Sequence, residues 1–303
     1  MSEATRIIKR LGALKTKRSA HESVWRECFD YTYPLRGSGL SSEELDAQSG
    51  MSKQARIMDG TATDSSRVLA SAICSGVTPA NSRWFGLDVG QESDDEKVWL
   101  DEAAQLLWEN IHAANFDSES FECALDIVCA GWFALYIDED KQKGGFRFEQ
   151  WNIGNLYCAS TVPGGRIDTV YREYKLTAEQ AVKQFEKDNG VSEKVAKLAI
   201  DKPDELITFV HAIEPRKLSV VNPRLAKNLP VASYHIEVEQ KRCVRESGYH
   251  EMPVVVPRWL RIPNSDYGVG PVYEALPDIR TLNDLKRMEL ASADLAVSGM
   301  WIA

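Results

Sequence analysis

The sequence contains no long apolar run. Its longest weakly polar stretch, residues 68–80, includes Ser71, Ser75 and Pro79 and is too short to cross a bilayer as a helix. The apolar run at residues 11–14 is too short for the core of a signal peptide, and basic residues follow it. The sequence therefore predicts neither a membrane-spanning helix nor a secretion signal.

Basic residues are in the minority. The 303 residues include 36 Lys and Arg against 45 Asp and Glu, which gives a formal net charge of -9. A dense Lys/Arg surface that grips phosphate backbones is therefore not expected. The composition, 44% hydrophobic and 27% charged, is that of an ordinary globular protein, and a tight, free-standing DNA-binding protein is disfavoured.

Motifs typical of enzymes and metal sites are also missing. The sequence has no P-loop, no G-x-S-x-G, no HExxH and no kinase signature. The five histidines lie far apart, and none stands at metal-binding spacing. We expect reduced thiols and no disulfides, because no short paired spacing occurs among Cys28, Cys74, Cys123, Cys129, Cys158 and Cys243. We therefore expect no catalytic residues, no metal and no cofactor.

The helix signals are distributed along the whole chain. Apolar residues at three-, four- and seven-residue intervals predict one helix over about the first 30 residues, ended by Tyr33-Pro34. Residues 35–54 are rich in Gly and Ser and predict a flexible loop. Start signals predict later helices, from Asp59 or Thr61 to Val77, from Ser93, over about residues 118–129, from Thr177, and from Ser192.

Short alternating or apolar runs between these helices predict strands. Four of them, at residues 132–137, 146–151, 156–159 and 167–174, are separated by Gly-rich turns and predict a β-meander. Further strands are predicted at residues 206–213, 234–238 and 254–259. Gly270-Pro271 then opens a long helix that runs to the end of the sequence, with a kink at Pro277. The fold class is therefore α+β.

The segment before this last helix, Tyr267-Gly268-Val269-Gly270-Pro271, is similar to a phosphate-binding glycine loop. It lacks the third glycine and the following Lys of such a loop. A plain turn into a helix that begins with Pro is the favoured interpretation.

The order of motifs resembles the portal proteins, or head-to-tail connectors, of short-tailed (podovirus-type) phages, over nearly the whole chain. No single motif is specific, but the ordered series is. Its parts are residues 25–34, Asp59-Gly60-Thr61-Ala62, Leu69-Ala70-Ser71, Thr78-Pro79, Arg83-Trp84-Phe85 with Leu87, Val98-Trp99-Leu100, Asn115-Phe116, residues 165–174 with Leu176-Thr177, residues 211–216, Pro257-Arg258-Trp259, Tyr267-Gly268 with Gly270-Pro271, residues 275–279, and Leu282-Asn283.

The resemblance implies a non-enzymatic subunit of a ring at one capsid vertex, through which viral DNA is packaged and ejected. Members assemble as twelve copies, so the implied partners are other copies of the chain and double-stranded DNA that passes without sequence specificity. The terminase large subunit, tail adaptors and capsid or scaffold proteins are implied as well. The implied location is the portal vertex of the virion, and the host cytoplasm during assembly.

The resemblance also implies a division of the chain. Residues 1–269 would form a wing of helices and an antiparallel β-meander, and residues 270–303 would begin a stem helix. The junction of wing and stem would contain Tyr267, Gly268, Gly270 and Pro271. Family members continue into a clip, a second stem helix and a crown, so a chain that ends at Ala303 would be a fragment or the product of a shortened gene, without the clip contacts to terminase and tail adaptors.

Three basic residues are the only ones in the predicted stem helix: Arg280, Lys286 and Arg287. Because the stem helices of the family line the DNA channel, we predict that one or more of the three faces DNA. Salt bridges to a neighbouring subunit explain them equally well.

Two other classes of function remain open. One is a Mg²⁺-dependent nucleic-acid-processing enzyme that uses the carboxylates of residues 92–102 with Asp138, Glu139 or Asp140, although helix capping and a solvated helix face explain most of that acidic run. The other is an adaptor that binds a protein through the helix at 270–303. The native mass distinguishes these hypotheses, because a ring is very large, whereas most such enzymes are small and the adaptor would be a monomer.

Overall fold

The computed structural model describes residues 2–37, 40, 47–90, 93–140, 143–217 and 225–298. The helices are α1 (Glu3–Thr32), α2 (Pro34–Gly37), α3 (Ala47–Gln54), α4 (Thr61–Val77), α5 (Asp94–Ala113), α6 (Phe116–Ala130), α7 (Ala178–Phe185), α8 (Glu193–Asp201) and α9 (Pro271–Ser298). The strands are β1 (Leu135–Glu139), β2 (Phe146–Gln150), β3 (Leu156–Ala159), β4 (Thr169–Thr177), β5 (Leu206–Pro215), β6 (Val231–Glu237), β7 (Arg242–Tyr249), β8 (Val254–Val255), β9 (Leu260–Arg261) and β10 (Gly268–Val269). The predicted α+β class is confirmed.

Two compact units make up the chain, and each combines separated stretches of sequence. The first contains Met1–Ser23, Asn152–Val254 and Ile262–Tyr267. The second contains Val24–Trp151, Val255–Arg261 and Gly268–Ala303. The predicted wing (residues 1–269) and stem (from residue 270) are parts of an assembled ring. This division of the chain stays a prediction.

The first helix is as the periodicity predicts, ending at Thr32, just before Tyr33-Pro34. The predicted loop at 35–54 contains regular structure instead, since α2 and α3 reach into it. Residues 38, 39 and 41–46 of that interval lie outside the described residues. No helix in the described ranges is long and apolar enough to cross a bilayer.

The first unit is built on an antiparallel sheet in the order β3-β4-β5-β6-β7. The middle strand β5 is buried on both faces, because its successive side chains point to opposite sides of the sheet and helices cover both sides. On one face, Val210 and Ala212 pack with the apolar stripe of α1. On the other, Ile207 and Phe209 pack with α7 and α8. This arrangement explains why the sequence of β5 is nearly continuously apolar.

A buried carboxylate joins α1 to this sheet. Glu214 of β5 is 4% exposed and accepts hydrogen bonds from Arg6, from Arg10 at 2.6 Å and from the Tyr171 hydroxyl at 2.6 Å. Burial alone would raise the pKa of Glu214, but the hydrogen bonds from Arg6 and Tyr171 and the two guanidinium charges outweigh it, so the pKa lies below its ordinary value.

We expect Glu214→Gln to lower the free energy of unfolding by about 2 kcal/mol at pH 7, because it leaves two partly buried guanidinium groups without their carboxylate. The contribution is present above about pH 4.5, the unfolded value, and is lost as the pH falls through the lower folded pKa. Urea unfolding at pH 7 and pH 4 measures both. Glu239→Gln, which breaks an exposed pair with Lys194, is the control and should change stability little. Equal effects of the two variants would contradict the prediction.

Two stacked histidines lie in the same sheet. The rings of His211 and His235 are parallel within 15° and their centroids are 4.0 Å apart. His211 shares a hydrogen bond of 2.9 Å with Ser233, and His235 one of 2.8 Å with the Tyr174 hydroxyl. Burial, the other imidazole and nearby Arg side chains lower the pKa of His211 well below its usual value. Burial and the nearby Arg side chains lower that of His235 to about 3.

The second unit is organised around α6, which is buried over most of its length. Phe116 and Cys123 of α6 pack with Leu135 and Phe148 of the β1-β2 hairpin. Asn115, just before α6, donates to the Phe148 carbonyl at 2.7 Å and accepts from its N–H at 3.0 Å. Small residues on α4, including Ser66 and Ala70, are buried and let it approach α6 closely.

The predicted meander needs one correction. The four predicted strands exist, but β1 and β2 form a sheet of the second unit, whereas β3 and β4 begin the five-stranded sheet of the first. The strand predicted at 254–259 is reduced to β8, and β7 was not predicted because its sequence RCVRESGY is largely polar. All six cysteines carry free thiols.

Candidate functional site

Helix α9 and the segment that leads into it are the candidate functional site. The helix begins at Pro271, as the sequence predicts, because Pro is favoured at the first helical position. Pro277 lies inside it and removes one backbone hydrogen-bond donor. The helix nevertheless continues to Ser298, so it is 28 residues long.

A contact between glycines fixes the start of α9 against the end of α6. Gly131 follows α6 in the left-handed conformation, with φ 84°. A Cβ at Gly131 would lie 2.2 Å from the Val269 carbonyl carbon and 2.4 Å from the Gly270 nitrogen. A Cβ at Gly270 would in turn lie 2.6 Å from the Val128 carbonyl oxygen. The backbones touch here, so side chains are excluded at both positions.

The four predicted junction residues divide between the two units. Tyr267 is the last residue of the first unit, and Gly268, Gly270 and Pro271 belong to the second. Gly268 and its neighbour Val269 form β10, which pairs with β9. This pairing supports the interpretation of residues 267–271 as an ordinary connection into a helix, and not as a phosphate-binding loop.

Tyr267 is held firmly within the first unit. It is 1% exposed, its hydroxyl accepts from the Cys158 N–H at 3.2 Å, and its ring lies 5.4 Å from that of His21. Burial strongly raises the pKa of the Tyr267 hydroxyl, so it stays neutral. These contacts make Tyr267 a structural residue of the chain segment before α9.

The first half of α9 packs against the rest of the second unit, and its second half does not. Val272 and Leu276 are buried, and a cavity of about 290 Å³ between α4 and α9 is lined by Leu69, Ala275 and Ile279, among others. The Asn283 side chain accepts from the Met58 N–H at 2.8 Å. From Arg287 to Ser298 every residue is exposed.

All three basic residues of α9 have an acidic partner. Arg280 donates to Glu27 of α1 at 2.7 Å. Lys286 donates to Glu289 at 2.9 Å, and Arg287 donates to Asp284 at 2.7 Å. The bond to Glu289 raises the pKa of Lys286, and the bond to Glu27 raises that of Arg280. A carboxylate balances each of the three charges locally.

The acidic run proposed as a metal site has a structural explanation in the residues described. Ser93 and Glu96 form the predicted capping box at the start of α5, where carboxylates are favourable next to the helix N-terminus. Asp138 and Glu139 lie on β1. Within the described ranges no group of three or more His, Cys, Asp or Glu side chains could hold a metal ion; Glu92 lies outside those ranges.

The acidic partners of the three cations of α9 were not predicted from the sequence. Asp284 and Glu289 stand three residues from Arg287 and Lys286, and this spacing on a helix is a signal for ion pairs that could have been used. Glu27 is 253 residues from Arg280, and no local pattern reveals that pair. The role of Gly131 was also missed, because residues 269 and 270, which it contacts, are likewise far from it in sequence.

Comparison with known proteins gives two relatives of similar description. The chain is 28% identical over 296 residues to the "Probable portal protein" of Bordetella phage BPP-1, covering 93% of this chain and 51% of that protein. It is 28% identical over 264 residues to the "Portal protein" of Salmonella phage epsilon15, covering 85% of this chain and 47% of that protein. The chain thus spans about half the length of the curated relatives it matches.

A family model covers nearly all of the sequence. Residues 4–303 match the family described as bacteriophage head to tail connecting protein. The match includes nearly all of α1, the five-stranded sheet and α9, and it spans the ordered motifs that resemble portal proteins. The chain therefore belongs to the phage head-to-tail connector, or portal protein, family, whose members are structural proteins and not enzymes.

Proposed function

We propose that this chain is part of a portal subunit that assembles into a ring at one capsid vertex, through which double-stranded DNA enters and leaves the head. The family match over residues 4–303 carries this proposal. The proposed partners are other copies of the chain, the terminase large subunit, tail adaptors, and capsid or scaffold proteins. Its proposed location is the portal vertex of the virion, with the host cytoplasm as the place of assembly.

In this assembly, residues 1–269 form the wing and α9 begins the stem. Tyr267, Gly268, Gly270 and Pro271 form the junction between them. The close approach of Gly131 to residues 269 and 270 supports this role, because a glycine contact without side chains holds the first turn of α9 in one position. A stem helix whose base is fixed can keep its direction over its exposed length.

The charges of α9 suit a channel through which DNA must slide. The helix contains five acidic and three basic residues, and the acidic partners already balance the basic ones. Strong neutralisation of phosphates would hold DNA in place, because each neutralised phosphate releases counterions and adds to affinity. Any contact of this helix with phosphates would involve one or more of Arg280, Lys286 and Arg287, its only cations.

The native mass of the purified chain tests the proposal. We expect particles of about a dozen copies by native mass spectrometry, and rings with a central hole by negative-stain electron microscopy. A monomer at all concentrations would contradict ring formation by this chain. It would favour the adaptor hypothesis, in which the exposed half of α9 binds another protein.

A further inference from the structure

We propose that one side of helix α5 is a docking surface for a basic, amphipathic helix of another protein. This α5 surface has Trp99 and Leu106 at its centre and the carboxylates of Asp95, Glu102 and Glu109 beside them. It lies wholly within the second unit, so it exists with or without a ring.

Helix α5 has apolar residues on two different sides. Leu100 and Ala104 are buried. Trp99 and Leu106 are instead 66% and 60% exposed. They stand seven residues apart, so they share one side of the helix and lie about 10 Å apart along its axis. Single exposed apolar residues are common on protein surfaces. A Trp aligned with a Leu, with Ala103 between them, forms an apolar stripe whose burial by a partner is favourable.

A row of carboxylates follows this apolar stripe. Asp95, Glu102 and Glu109 are exposed. Each stands three or four residues from Trp99 or Leu106 and is therefore its neighbour on the helix surface. The three carboxylates repeat every seven residues, as the two apolar residues do. The row and the stripe therefore run parallel along the same side of α5.

The carboxylates of this row lack a cationic partner. Asp101, on nearly the opposite side of α5, pairs with Arg83. Glu109 accepts a hydrogen bond of 2.9 Å from the Gln105 amide, which is neutral. Within the part of the chain that the structure describes, no Lys or Arg forms an ion pair with any carboxylate of the row. Since α5 itself has six acidic residues and one Lys, another molecule would have to supply the balancing cations.

The spacing on α5 defines the kind of partner. A helix packed along α5 also advances about 10 Å in seven residues, so its apolar residues would meet Trp99 and Leu106 one heptad apart. Lys or Arg at its flanking positions would then lie next to the carboxylates. Binding energy concentrates at buried aromatic anchors, which makes Trp99 the main contact. The carboxylates would select a cationic partner and set its orientation.

Two other occupants fit the α5 surface less well. Unbalanced carboxylates repel the phosphates of DNA. The exposed end of α9 from another copy carries Arg287 but also Glu289 and Asp294, so it does not bring the excess of cations that the row requires. A separate basic protein is the occupant that both the charges and the apolar spacing favour.

A synthetic helix tests the apolar contact on the full chain. The probe is a fluorescent peptide of about three heptads with Leu at positions a and d and Lys at e and g. By fluorescence anisotropy, we expect Trp99→Ser and Leu106→Ser each to weaken its binding about tenfold or more, because each removes a central apolar contact. Ile200→Ser changes a side chain that is 83% exposed in the first unit and should bind as the wild type does.

A second peptide, with Glu in place of each Lys, tests the charges. The wild type should bind it about tenfold or more weakly than the Lys peptide, and the double variant Glu102→Lys and Glu109→Lys should reverse this preference. The double variant Glu186→Lys and Glu251→Lys makes the same change in net charge at exposed positions of the first unit and should keep the preference of the wild type. Circular dichroism melting checks that each variant folds.

Several results would overturn the docking surface. One is a Lys peptide that does not bind the wild type, or that binds the Trp99 and Leu106 variants equally well. Another is a preference between the peptides that the charge exchange at residues 102 and 109 leaves unchanged. If the wild type forms rings and the peptide binds the unassembled chain alone, the α5 surface is a contact between copies, and the ring stands without it. A monomeric chain that binds the peptide as expected would support the surface and contradict the ring.

Discussion

Gly131→Ala should destabilise the second unit by about 2 to 5 kcal/mol. A residue with a side chain costs roughly 1–2 kcal/mol in the left-handed conformation, and Gly131 has φ 84°. The added Cβ would also lie 2.2 Å from the Val269 carbonyl carbon, and overpacking of this kind costs typically about 1–3 kcal/mol or more. Chemical denaturation followed by the fluorescence of the buried Trp132 and Trp151 measures the change.

Gly144 provides a matched control in the same unit. It also has positive φ, 74°, but a Cβ there would meet nothing within 4 Å. We expect Gly144→Ala to cost about 1 kcal/mol, the conformational part alone. If Gly131→Ala cost no more than Gly144→Ala, the close approach of the backbone to residues 269 and 270 would not contribute to stability.

Acidification from pH 7.5 to pH 5.5 should remove about 3 kcal/mol from the stability of the first unit through His211 and His235. Both imidazoles have folded pKa values far below their ordinary value of 6.5, so only the unfolded chain takes up these protons. The stability is therefore fully present above pH 6.5 and is lost as the pH falls below it. At pH 5.5, one unit below the unfolded value, each histidine has lowered the free energy of unfolding by about 1.4 kcal/mol.

The double variant His211→Gln and His235→Gln tests this dependence. Its stability at pH 7.5 will differ from that of the wild type, because the imidazole partners of Ser233 and Tyr174 are replaced by amide groups. The difference between pH 7.5 and pH 5.5 should nevertheless fall by about 3 kcal/mol. His21, whose pKa is also lowered, chiefly by burial, keeps a smaller dependence. A double variant as acid-sensitive as the wild type would contradict the assignment.

The parts of the fold that depend on neighbours in sequence were predictable. Capping boxes at Ser93 and Thr177 and the start of α9 at Pro271 were predicted, and the structure confirms them, because a cap is formed within three residues. The membership of strands in sheets was not. Only five residues separate β2 from β3, yet the two strands belong to different sheets. Nothing in the sequence of either strand indicates which strand it pairs with.

The same distinction applies to the candidate site. The long helix and its three cations are evident in the sequence, and helical spacing could have predicted the pairs within α9. The pair of Arg280 with Glu27 depends on tertiary structure. The roles of Gly131 and of the buried Glu214 do too, because each depends on an approach between chain segments more than a hundred residues apart.

Synthesis on the ribosome separates in time what the first unit joins in space. Helix α1 leaves the ribosome long before the sheet on which Ile7, Leu11 and Leu14 pack. Arg6 precedes Glu214 by 208 residues, which corresponds to roughly 10–40 s at typical translation rates of about 5–20 residues per second. The second unit's residues 24–151 emerge meanwhile and can begin to fold first. During that interval the apolar stripe of α1 lacks the sheet that covers it and stays exposed. Because each unit combines separated stretches of sequence, neither can be expressed as one continuous fragment.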